Sequence, residues 1–245
     1  MQEPIKHEGP GDHIMVIVAH PDDAEFMKAG SVAKWIGEGR KVSYLLCTSG
    51  DKGTSDPAMT PDKMGPVRQA EQRAACAVLG VEEVVFLGYP DGLLVNSLDL
   101  RRDISREIRR LKPSAVLTED PTWRYIGQEY INHPDHRAAG DAALDAVFPS
   151  ARDYHVYPDL IAEGLLPHKV PHVYLSAGPG DANVHIDISE VMDIKIKALH
   201  EHKSQMNGRT ADDPEAGDFV RMLGKYMAGD SGMEYAEAFK YFKLD

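Results

Sequence analysis

Two cysteines in 245 residues, Cys47 and Cys76, are too few for a disulfide framework. They fall in an expected strand and an expected helix, so buried reduced thiols are the reading. Basic residues are short against acidic ones, 27 Lys and Arg to 39 Asp and Glu, for a formal net charge of −12. That balance excludes non-specific binding to nucleic acid and to anionic membrane surfaces, which need a basic patch. No apolar run approaches the roughly 18 residues that span a bilayer, and the opening MQEPIKHEGPGD has no apolar core of a secretory signal. A cytoplasmic protein with a small-molecule partner is therefore expected. Internal repeats, low-complexity tracts and linkers are also missing, which leaves one domain over 1–245.

What is present alternates strand with helix. Ile14–Val18 is an unbroken apolar, mostly β-branched run, the pattern of a strand buried on both faces of a parallel sheet. Ala29, Val32, Ala33 and Ile36 mark a helix face, Val42–Cys47 a second strand, and Thr48–Pro66 a long loop. A helix over Val67–Leu79 ends at Gly80, and a strand over Val84–Leu87 runs into the turn-rich Gly88–Gly92. Leu100, Ile104, Ile108 and Leu111 define a helix that stops before Pro113. The strand Ala115–Thr118, the loop Glu119–Pro134 and a helix over Asp135–Val147 follow. Phe148–Val170 reads as a surface excursion, His172–Ser176 and Val184–Ile188 as strands, and Glu190–His202 as a helix capped by Ser189. The loop 207–218 and the weaker segments Phe219–Met227 and Tyr235–Tyr241 complete the chain. The expected fold is α/β, a mostly parallel Rossmann-like three-layer α/β/α sandwich, with a core over 13–205 and a C-terminal extension over 206–245.

The chemistry sits just past strand ends. AHPDD at Ala19–Asp23 and HPDH at His133–His136 each bring His and Asp together at the carboxyl edge of the sheet, where open α/β folds bind ligands. Taken singly, such groups are ordinary helix caps. Two clusters at one edge, one with adjacent carboxylates that repel unless a cation is shared, supply a two-His, one-carboxylate metal site with open positions. No G-x-G-x-x-G follows the first strand, so Gly178-Pro-Gly180-Asp181 is not expected to hold a nucleotide. His168, His172 and His185 are expected to be structural or exposed. His200 and His202 face different ways on one helix, with His202 in reach of the site's surroundings. Trp123, Tyr125 and Tyr130 suit sugar stacking or a subunit surface.

The two His motifs together resemble the signature pair of the LmbE-like, or PIG-L-like, zinc N-deacetylases. The resemblance extends to TSGDKG at Thr48–Gly53, Arg68 and Glu71, the GYPDG turn at Gly88–Gly92, and HKSQ at His202–Gln205. It implies that His20, Asp23 and His136 hold Zn²⁺, with Fe²⁺ the other ion this donor set serves, and that Asp22 is the general base toward water. It further implies that His133 stabilises the oxyanion and protonates the leaving amine, that Asp135 orients His133, and that Arg68 contacts substrate, the alternative for Arg68 being a surface pair with Glu71. One departure stands out. The family usually reads AHPDDE, whereas here Ala24 follows Asp23 and Glu25 comes next, and the glycine-rich helix start is reduced to Lys28-Ala29-Gly30.

The implied function is zinc-dependent hydrolysis of an N-acetyl group on an amino sugar or related small amide, in a self-associating protein. The alternatives are a mononuclear Fe(II) enzyme on the same ligands, which calls for an all-β chain, and a metal-bearing binding protein without turnover.

Overall fold

The computed structural model describes residues 7–206, 209–213, 215 and 217–245; the polar start over 1–6 and parts of the loop 207–218 lie outside them. The chain opens with β1 (His13–Val18), α1 (Asp23–Met27), α2 (Ala29–Gly37), β2 (Lys41–Thr48), α3 (Pro61–Leu79), β3 (Glu83–Tyr89), α4 (Leu98–Leu111) and β4 (Ala115–Thr118). It continues with the hairpin strands β5 (Tyr125–Ile126) and β6 (Tyr130–Ile131), then α5 (Pro134–Asp145), α6 (Pro158–Ala162), β7 (His172–Ser176), β8 (Val184–Asp187), α7 (Met192–His200), α8 (Asp218–Ala228) and β9 (Ala236–Lys243). Among the described residues no helix is long and apolar enough to cross a membrane.

Seven strands form one sheet in the order β3-β2-β1-β4-β7-β9-β8. The first five pair in parallel, and only β9 runs against its neighbours. Alternation along β1 explains the layers. Ile14, Val16 and Val18 enter one core with residues of α2, α3 and α7, while Met15 and Ile17 enter the other with α4 and α5. The expected α/β/α sandwich is therefore present, and it is not the all-β architecture of the iron-enzyme alternative. Strand order reverses at β1, so the loops leaving β1 and β4 diverge and open a crevice between them.

Several boundaries differ from the expected ones. α3 begins at Pro61, six residues before Val67, because its first turn is solvent-facing and carries no apolar period to read; Thr60 and Pro61 occupy the N-cap and N1 positions. Ser189 makes no cap hydrogen bond; its hydroxyl donates to Asp187 Oδ1, and the helix proper starts at Met192. The excursion after α5 is organised from beneath by Arg109, which is buried and donates to the carbonyls of Ser150, Ala151, Asp153 and Val156. Cys47 and Cys76 are buried and unpaired, and burial pushes both thiols up.

The largest difference concerns the segment expected to extend beyond the core. β9 lies inside the sheet, between β7 and β8, and buries Ala236, Ala238, Phe239 and Tyr241. Its short apolar pattern, broken by Glu237 and Lys240, hides a central strand. Glu237 accepts the backbone amides of Gly30 (2.8 Å) and Ser31 (2.7 Å), satisfying the first turn of α2, and meets Lys195 Nζ at 2.6 Å. Both partners are 2% exposed. Glu237→Ala strands a buried ammonium and two amides, so a stability loss of about 3–5 kcal/mol is expected in urea unfolding. A loss under about 1 kcal/mol would show that water replaces the carboxylate.

Candidate metal centre

β1 delivers His20 to the crevice after a fully buried run, and the turn beyond it is forced. Asp22 sits at φ 86°, a left-handed conformation uncommon for a residue with a side chain, before Asp23 opens α1. Asp23 Oδ2 accepts the backbone amide of His20 at 2.7 Å and lies 3.4 Å from His20 Nδ1. Its other oxygen, Oδ1, lies 3.0 Å from His136 Nε2 on α5. Gly140 lets α5 come this close, because a Cβ there would lie 2.6 Å from the Glu119 carbonyl at the end of β4.

Each imidazole is anchored by its far nitrogen. His20 Nε2 is 3.1 Å from Asp135 Oδ2 and 3.1 Å from Asp91 Oδ1, and His136 Nδ1 is 3.1 Å from Asn132 Oδ1. Carboxylate and amide oxygens in those places fix the ring orientation and turn the remaining nitrogen, Nδ1 of His20 and Nε2 of His136, toward Asp23. Burial works against charge on His20, yet Asp23, Asp135 and Asp91 push it up to about 12. Burial likewise opposes ionisation of Asp23, but His136 and His20 hold it well below the usual carboxylate range. Protons on the two rings thus offset the carboxylates here, the part a divalent cation plays in such a cluster. The donor types fit: adjacent ligands at bonds of about 2.1 Å stand roughly 3.0–3.4 Å apart, the spacing of Asp23 from His20 Nδ1 and from His136 Nε2. Two further groups around His20 also offer donor atoms within 4.8 Å of one another, His20 with His133 and His136, and His20 with Asp91 and Asp135.

The remaining expected residues gather around this trio. Burial pushes Asp22 up to about 6, with Arg68 opposing. Its Oδ2 accepts from Arg68 Nη2 at 3.0 Å and its backbone amide donates to Gln72 Oε1 at 3.2 Å. Arg68 is buried, not paired with Glu71 at the surface, and also donates to the carbonyls of Pro21 (2.5 Å) and Gly50 (3.1 Å). Its guanidinium is therefore spent largely on holding the Asp22 turn. His133 caps α5 with Nδ1, which accepts the Asp135 amide at 3.2 Å, and its half-exposed ring stands 4.8 Å edge-on to His20. Burial and the neighbouring His20 hold it below the usual histidine range. Asp135 differs from expectation. Its carboxylate is 3.9 Å from His133 Nδ1, and it instead serves His20 and the amides of Gly92 (2.7 Å) and Leu94 (3.1 Å).

Asp91 and Gln72, not singled out in the sequence, complete the frame together with Glu25 and with His202, which was expected to reach the site's surroundings. Asp91, in the GYPDG turn, is the second carboxylate on His20. Glu25 is fully buried between Gln72 Nε2 (3.0 Å) and His202 Nε2 (3.2 Å), so the chain Asp22-Gln72-Glu25-His202 ties the turn to the start of HKSQ. Ala24 lies in the apolar core, and the carboxylate of the next residue, Glu25, meets Gln72. Only the motif turn and the histidine of HKSQ signalled these contacts; the partners are far apart in sequence.

A family model described as GlcNAc-PI de-N-acetylase, PIG-L, matches residues 15–147, and the match contains both His motifs. The chain belongs to the PIG-L family. This PIG-L protein is 33% identical over 230 residues to diacetylchitobiose deacetylase of Thermococcus kodakarensis, covering 93% of this chain and 82% of that one. It is 27% identical to the probable N-acetyl-α-D-glucosaminyl L-malate deacetylase 2 of Bacillus anthracis, over 79% of this chain and 81% of the relative. Among solved structures, N,N′-diacetylchitobiose deacetylase from Pyrococcus horikoshii superposes with a TM-score of 0.84 at 27% identity, covering 95% of the PIG-L chain described here and 84% of that chain.

Proposed function

We propose that this protein is a divalent-metal-dependent N-deacetylase of an acetylated amino sugar or a related small amide. The observation that carries the reading is the Asp23 carboxylate set between His20 Nδ1 and His136 Nε2, each ring fixed from behind. His20, Asp23 and His136 would hold the ion, of which Zn²⁺ suits the donors best. Bound there, it supplies Lewis acidity toward a carbonyl and an acidified water.

The chain's own residues do the rest. Asp22, lifted toward neutrality by burial yet steadied by Arg68, takes a proton from the attacking water. His133 faces the developing oxyanion, and the proton taken up by Asp22 is handed on by way of His133 to the departing nitrogen, so the C–N bond breaks to acetate and a free amine. Asp91 and Asp135 keep His20 in place. Small acetylated sugars are the substrate class of the named relatives, and self-association remains part of the proposal.

Acetate release from a panel of N-acetyl amino sugars tests the reading. Turnover is expected, lost on chelation and restored by Zn²⁺. Turnover indifferent to chelator, or acetate released from none of the panel by metal-loaded protein, would overturn it.

A further inference from the structure

The crevice does not end at the metal centre. From Asp23 and His136 it opens into a cavity of ≈ 880 Å³, toward the upper end of the roughly 300–1,000 Å³ that takes whole small-molecule ligands. Its outer walls are aromatic: Trp123 and Tyr130 from the loop after β4, and Phe219 and Tyr226 from α8. Aromatic faces accept the apolar face of a sugar ring, and they also attract cations through the ring quadrupole.

Beyond the metal centre itself, at Asp23 and His136, the charge of the lining is one-sided. Glu119, Asp120 and Asp181 line the cavity, and among the described residues no lysine or arginine does. The two ammonium groups closest to these carboxylates are already engaged. Lys28 is fully buried with Nζ 2.6 Å from Glu119 Oε1, and Lys240 Nζ lies 2.8 Å from Asp120 Oδ2 and 4.0 Å from Asp181 Oδ2. Lys240 lies closer to Asp120 than to Asp181, so Asp181, with its side chain 63% exposed, is the less closely paired of the two. The amino end of α8 offers no free positive pole either, because Asp218 stands in its first turn.

We propose that this outer cavity selects substrates whose group beyond the acetylated ring carries an ammonium, and turns away carboxylate- or phosphate-bearing groups. An ammonium there meets aromatic faces and the Asp181 carboxylate together, whereas an anion in the outer cavity meets that carboxylate and, short of the metal centre, only a Lys240 already engaged by Asp120. The family includes a protein named for a malate glycoside, a dicarboxylate at neutral pH; the lining described here has the wrong sign for such a group. An amine-bearing neighbour is what a previous deacetylation leaves on an amino-sugar chain, so a partly deacetylated oligomer suits this cavity. The inference rests on the reading above for one point, that the acetamide lies inward at Asp23 and the remainder outward.

Three phenyl N-acetylglucosaminides that differ only at the para position, aminomethyl, hydrogen or carboxylate, test it on the full chain, by tryptophan emission and by acetate release. Trp35 is sealed in the core, so ligand-dependent emission reports Trp123. The aminomethyl compound is expected to bind tightest and the carboxylate weakest, with about a tenfold gap between them. The gap should narrow in about 1 M salt and in Asp181→Asn. Equal or reversed affinities, no emission change with any compound, or an order that neither salt nor Asp181→Asn alters would overturn the proposal. Acetate released with equal affinities leaves the hydrolytic reading standing and removes the selectivity; ordered binding without acetate release does the reverse.

Discussion

Asp22→Asn is expected to keep its metal and to lose kcat by roughly 10²–10⁴-fold, the range of a lost general base. The substitution is chosen because it changes so little else. Asn tolerates the left-handed backbone at this position. Its amide oxygen still accepts from Arg68, and the backbone amide still meets Gln72. The three donors at His20, Asp23 and His136 are untouched. What is removed is the capacity to take a proton. Metal content by elemental analysis, set beside kcat on a substrate that the wild type turns over, checks the assignment. Metal lost in proportion to activity would make Asp22 a ligand instead.

His136→Ala carries the opposite expectation. Its Nε2 is the group 3.0 Å from Asp23 Oδ1, and α5 offers no other nitrogen at that point. Metal affinity should fall by more than about 100-fold and turnover with it, because ligand loss exceeds the roughly 10–100-fold cost of losing an outer partner. Asn132→Ala removes only the oxygen behind His136 Nδ1 and should fall within that smaller range. Chelator competition ranks the three proteins. A His136→Ala protein that holds zinc as tightly as wild type would mean that the donor set lies elsewhere, the histidine cluster with His133 being the next choice.

The trio and its place at a sheet edge were legible because every cue was local. An unbroken apolar run such as Ile14–Val18 announces a central strand wherever it occurs, and a His and Asp just past its end can lie only at the carboxyl edge. The frame behind the trio was not legible in the same way. Asp91 reaches His20 across 71 residues of chain, and His202 reaches Glu25 across 177, so nothing near either residue announces its partner. Arg68 shows the ambiguity well. An arginine three residues before a glutamate on a helix reads as a surface pair, and only the close approach of the Gly50 loop buries it. β9 was obscured for the contrary reason: Glu237 interrupts its pattern, and that acid is buried because Lys195 and the start of α2 meet it there.

The place of β9 bears on how the chain reaches its folded state. β7 and β8 do not touch each other; they are joined through a strand synthesised some fifty residues after β8, between which α7 and α8 are made first. While the ribosome is still at work on that stretch, β7 presents an open hydrogen-bonding edge and β8 has no sheet to join. The half of the sheet built on β1 to β4 has all its strands once Thr118 is made, whereas the other half must wait for β9, the last strand of the chain. The wall formed by α8, which packs beside β9, waits with it. His20, Asp23 and His136 are thus synthesised before the α8 wall of the cavity that their site opens into.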